Sequence, residues 1–209
     1  GVSIRGGSLD QNLMLYESAP VFNPTHLFGL FSVFTPDVIS GVNIYQANIP
    51  AKYGGRIASV VDVKVKNPYT DRLKIEGGIG VISSRFTVTT PIIKDKLMLL
   101  AGGRVGFTDF LFPLLIPRLK NTKANFSDST VKLLYLPNEN NQLTYTHFYS
   151  KDFYQLDLIS SIENIVSSSN QYDFGTSNHT LRWLHGFENS TNLVGTLVHS
   201  SYLPKNLFL

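Results

Sequence analysis

From about residue 69 the chain alternates apolar and polar residues with a period of two, the signature of strands that bury one face. Leu73, Ile75, Gly77, Ile79 and Val81 share one face; Phe86, Val88 and Thr90 share the next, after a parity switch near Ser83-Ser84. A turn at Pro91 to Lys96 follows. Leu97, Leu99, Ala101, Gly103, Val105 and Phe107 then stand opposite Met98, Leu100, Gly102, Arg104 and Gly106. Val131, Leu133 and Tyr135 lead into a turn of Pro and Asn residues, and Leu143, Tyr145, His147 and Tyr149 lead out of it. Leu181, Trp183, His185 and Phe187 enter the next turn; Leu193, Gly195 and Leu197 leave it. The turns are short, whereas the connections 109–125 and 155–174 are long and rich in Asn, Ser and Asp. Short turns at one end and long loops at the other are the pattern of an outer-membrane β-barrel. An antiparallel sandwich with some long loops fits the alternation as well. Tyr135, Tyr145 and Trp183 near the short turns suit either an interfacial aromatic belt or cross-strand packing.

Residues 1–68 have a different texture. Asn12 to Phe22 reads as two short strands around a turn. Thr35 to Gly41 reads as a helical turn, capped by Thr35, with Pro36 at its first position and Gly41 as its stop. Val42 to Gln46 then alternates as a strand. A last strand spans Ala58 to Lys66, with Val61, Val63 and Val65 on one face and Asp62, Lys64 and Lys66 on the other.

Composition sharpens the class. Of 209 residues, 43% are apolar, enough for a core, and only 16% are charged. With 12% aromatics, this is a β-rich composition compatible with lipid contact. The net charge of +3 is small and scattered, which argues against nucleic acid as a partner. There is no cysteine, so disulfides and Cys-ligated metals are excluded. No run of about 18 uncharged apolar residues offers a transmembrane helix. No signal-peptide pattern opens the chain, which is expected to be a piece of a longer protein.

Catalytic chemistry finds little support. Ser3 to Ser8 contains a glycine pair, Gly6-Gly7, but lacks the Gly-Lys-Ser/Thr ending of a phosphate loop. The five histidines form no metal-binding spacing, and no elbow marks a nucleophilic serine. No enzyme, no cofactor and no metal site are expected. Arg5 and Arg56 each adjoin a glycine pair, Gly6-Gly7 and Gly54-Gly55. They are either solvated surface residues or cations facing an enclosed polar space.

Three stretches, in order and spacing, carry a resemblance. Ile4 to Val21, Asn23 to Ile39 and Tyr45 to Lys66 resemble the second half of the plug domain of TonB-dependent outer-membrane receptors. The likeness is greatest to receptors of Bacteroidota, including relatives of the SusC-type transporters. Gly77 to Arg104 resembles the first barrel strands of that family. One departure is Glu17-Ser18, where the family usually has Asp-Gly before a Pro-Val strand.

The resemblance implies a mainly β fold: half of an α+β plug over residues 1–68, then a barrel wall from residue 69 to 209. That wall holds roughly the first six or seven of about 22 strands. Polar plug–wall contacts are expected from Arg5, Arg56, Glu76 and Arg104, with Arg56 paired to Glu76; the plug turns are Gly6, Gly7, Gly54 and Gly55. Asn23, His26 and Phe28 are expected to be exposed on an apical loop as ligand-binding residues. The implied function is energised uptake of a scarce ligand, a glycan or a metal chelate, across the outer membrane. Its partners would be the TonB complex, acting through a segment absent here, outer-membrane lipid, and for a glycan a surface lipoprotein lid. A non-transporting barrel, serving as adhesin or scaffold, is the alternative.

Overall fold

The computed structural model describes residues 12–46, 49–54, 59–109, 114, 122–157 and 169–208. Its N-terminal layer is a four-stranded sheet in the order β2-β1-β6-β5. β1 (Asn12–Tyr16) and β2 (Ala19–Pro20) form a hairpin. Its two loop residues, Glu17 and Ser18, both have positive φ, 50° and 74°. This is the geometry usually given to Asn-Gly or Asp-Gly, adopted here without a glycine. β3 (Thr25–His26) and β4 (Phe31–Ser32) make a two-residue ladder flanking a 3-10 turn, Leu27–Gly29. β5 (Ile39–Gln46) runs antiparallel to β6 (Ser59–Val65), and β6 runs parallel to β1.

The helical turn expected at Thr35 to Gly41 is a single 3-10 turn, Pro36–Val38. Ile39 is already extended and pairs with Val65, so the strand starts three residues before Val42 and runs through Gly41. Sheet pairing overrides the local stop signal.

The remaining strands form one antiparallel meander: β7 (Lys74–Ile79), β8 (Ser83–Ile93), β9 (Leu97–Gly106), β10 (Lys123–Asn138), β11 (Asn141–Asp157), β12 (Ser169–Gly186) and β13 (Asn192–Phe208). The period-two pattern gives this sheet two unlike faces. Thr87, Asp128, Thr130, Lys132, Thr144, Thr146, Asp152 and Asn178 are buried beneath the N-terminal layer. Ile75, Phe86, Leu181, Trp183, Leu197 and Leu203 are exposed on the other side. A water-soluble sandwich would bury the second set and expose the first.

The seam between the layers is not polar throughout. Leu100 and Phe148 of the meander close over Tyr16, Val21, Val33, Val38, Val61, Val63 and Val65. Gly102 is part of the same fit: a Cβ there would lie 2.5 Å from Val38 Cγ1. The seam therefore holds more than the polar contacts expected of it: an apolar patch sits among them. The reason lies in β6, whose three alternate valines need cover on that face.

Candidate functional site

β10 and β11 run side by side with Phe126 opposite Asp152 and Asp128 opposite Ser150. This register sets Asp128 and Asp152 on the covered face, one row apart. Arg104 of β9 pairs directly with Asp128. The 3-10 turn after β3 lowers His26 into this group, and its ring stacks on Phe126 with centroids 4.4 Å apart.

The hydrogen bonds define the charge state. His26 Nδ1 lies 2.9 Å from Asp152 Oδ1, and Nε2 lies 3.2 Å from Asp128 Oδ2. Asp152 also accepts from Tyr154 Oη at 2.9 Å and Asn23 Nδ2 at 3.2 Å. Asp128 also accepts from the Thr35 hydroxyl and from Arg104 Nε at 2.8 Å. Carboxylates so surrounded by donors are ionised and only accept, so both imidazole nitrogens must donate. His26 is thus an imidazolium. Burial by itself lowers its pKa, but the hydrogen bonds and charges of Asp128 and Asp152 outweigh that and raise it above the ordinary histidine value. His26 and Arg104 balance Asp128 and Asp152, giving a neutral group of four charges. Pairing of this kind is what makes burial of charge tolerable.

Further polar bonds tie the two layers. Arg104 Nη2 donates to Ser32 O. Tyr16 Oη lies 2.7 Å from Thr130 Oγ1, and burial holds its phenol well above the ordinary range. Lys132 Nζ donates to Val65 O at 3.1 Å and lies 3.5 Å from Glu17 Oε2, while Glu17 Oε1 accepts from Val65 N at 2.7 Å. Asn178 and Ser200 both donate to Pro20 O at 3.0 Å. Arg85 reaches Asp37 at 2.6 Å near the rim.

The expected site residues divide as follows. Arg104 bridges the two layers. Glu76 is exposed on β7, on the same face as Thr87. Arg5, Gly6, Gly7, Gly55 and Arg56 lie outside the described residues, as does the side chain of Phe28; Gly54 is exposed. Asn23 is partly buried and bonded to Asp152. His26, expected to be exposed for a ligand, is 0% exposed. The correction has a simple cause: the only residue between Asn23 and Thr35 able to carry a positive charge is drawn down between two carboxylates. Glu17 stood out only as a departure at the turn, and Asp128, Asp152 and Lys132 were not singled out from the sequence. Their signal was polar residues at inward parity in otherwise regular strands.

No family model matches the chain, and no curated protein does. A solved structure shares its fold. It is the crystal structure of the siderophore receptor PirA from Pseudomonas aeruginosa, matched with a TM-score of 0.67 at 15% identity. The match covers 98% of this chain and 35% of that one, so both layers have counterparts in about a third of the receptor's length.

Proposed function

We propose that the chain is part of a plugged outer-membrane β-barrel that takes up a scarce ligand with energy from a TonB complex. Residues 1–68 are read as the second half of the plug and residues 69–209 as the first strands of the wall. The observation that carries this is the inverted sheet: polar side chains lie beneath the N-terminal layer while Ile, Leu, Phe and Trp face outward. Such a sheet suits a lumen on one side and lipid on the other. A plug held by charge pairs and hydrogen bonds can be released by a pull, because water replaces the lost partners.

A metal chelate is the first ligand to test, because the similar fold is that of a siderophore receptor. A glycan, with a lipoprotein lid, is the second; the SusC-like kinship belongs to this second reading. The test is whole-cell uptake of a labelled ferric chelate and of labelled oligosaccharides by the full-length protein, with and without the TonB complex. Loss of uptake on removing the complex supports the proposal. Uptake that persists without it refutes energised transport, and no uptake of either ligand class favours the adhesin or scaffold reading.

A further inference from the structure

The outward face of the meander changes character along β11–β13. One register row sets Tyr145 beside Leu181 and Leu197. The next sets His147, His179 and His199 directly opposite one another. Beyond it come Tyr149, Ser177 and Ser201, then Lys151, Gly175 and Leu203, and then Asp173 opposite Lys205. Ionisable residues on a lipid-facing surface are costly in hydrocarbon. On β11–β13 the histidine row therefore marks the edge of the apolar band, and on these three strands the rows beyond it lie at headgroup depth.

Two concavities open on this face and share Tyr149. One, of about 170 Å³, is lined by Lys151, Lys205, Asp173, Ser177 and Ser201, with Gly175 leaving its floor open. Lys151 Nζ lies 3.2 Å from Asp173 Oδ2, and Lys205 lines the same pocket, so two ammonium groups against one carboxylate leave one positive charge. The other, of about 410 Å³, is a groove walled by Phe86, Val105 and Tyr149 over Gly103. Gly103 is six residues from the start of β9, and Gly175 is eleven from the end of β12; both ends adjoin short turns. For tilted strands the five-residue difference puts the apolar groove about 12 Å deeper than the basic pocket.

We propose that this face binds one phosphorylated lipid of the surrounding leaflet. Lys151, Lys205 and the serine hydroxyls hold its phosphate, and one acyl chain runs past Tyr149 into the groove over Gly103. Charge complementarity selects the headgroup, and the deeper apolar groove selects a chain-bearing molecule over free phosphate. The proposal rests on the reading of this face as lipid-exposed, but not on any cargo.

The test uses the full-length protein in a neutral maltoside micelle, with native mass spectrometry counting bound lipid. The probes are bis-phosphorylated lipid A, its dephosphorylated form and phosphatidylcholine. The wild type should retain the phosphorylated form about tenfold more tightly than either other lipid. Lys205→Gln should remove most of that preference. Gly175→Leu should fill the pocket; nothing lies within 4 Å of a Cβ there, so the strand accepts it. Equal retention of all three lipids overturns the proposal, as does unchanged retention by both variants. A face occupied by a second copy of the protein, seen as a dimer that excludes lipid, overturns it too. Lipid retention is independent of uptake, so its failure is distinguishable from failure of the transport reading.

Discussion

Replacing His26 by Leu tests the group of four charges directly. The substitution removes both hydrogen bonds, at 2.9 and 3.2 Å, and leaves Asp128 paired with Arg104 and Asp152 held by the neutral donors Asn23 and Tyr154. His26, Asp128 and Asp152 are 0, 4 and 0% exposed, so water does not readily replace the lost partner. Removing one member of such a buried set costs about 3–5 kcal/mol, or two to four orders of magnitude in the population of the undocked N-terminal layer. Hydrogen exchange of the full-length protein reads this population in peptides from residues 12–46. Adding Asp152→Asn removes the stranded charge and should recover at least half of the lost protection. The pH dependence has a definite sign. The docked pKa of His26 is raised, so its contribution is complete below the ordinary histidine value and is lost as pH rises through the docked pKa. The groups facing it are Asp128, Asp152, Arg104, Asn23, Thr35 and Tyr154. Wild-type protection, corrected for intrinsic exchange, should fall there, and the Leu variant should lack that component. Exchange within threefold of wild type, or a double variant no better than the single one, would refute the reasoning.

Four other perturbations probe the seam. Ser18→Gly should raise stability by about 0.5–1 kcal/mol in urea unfolding, because relief of the positive φ exceeds the added chain entropy. Glu17→Gly at the neighbouring position should destabilise instead, since Glu17 holds Val65 N and Lys132. Gly102→Ala should weaken docking by about 1–3 kcal/mol through the clash with Val38, seen as faster exchange near residues 36–46, and Val38→Ala should restore it. Lys132→Met strands Glu17 and should cost about 3 kcal/mol, with Glu17→Gln added in the same chain recovering part of it.

Much of the meander was legible because a period of two is a local property. The inward and outward sets of β9 to β13 follow from counting, and the turns from their Pro, Asn and Asp residues. The His26 group was not legible, because it depends on register and on residues far apart in the chain: 102 positions separate His26 from Asp128 and 126 separate it from Asp152. Yet the sequence held the two halves of an argument. Asp128, Thr130 and Lys132 alternate with Ser129, Val131 and Leu133, so one face of that strand is polar for several residues in succession. If that face is covered, its carboxylate needs a cation from whatever covers it. Between Asn23 and Thr35 only His26 can supply one. Treating the histidine as a ligand-seeking loop residue missed this, because exposure was assumed for the loop rather than asked of the face beneath it. The same logic explains the apolar patch. Val61, Val63 and Val65 demand cover as firmly as Asp128 demands charge, and Leu100 and Phe148 at the same inward parity supply it. The seam combines both kinds of contact because each layer brought both kinds of demand, and the two differ in what separating the layers must overcome. Separated charges regain water; separated valines do not. Once water enters, the charged group is compensated and the valine patch is not, so the patch is the part of the seam that stays costly to hold open.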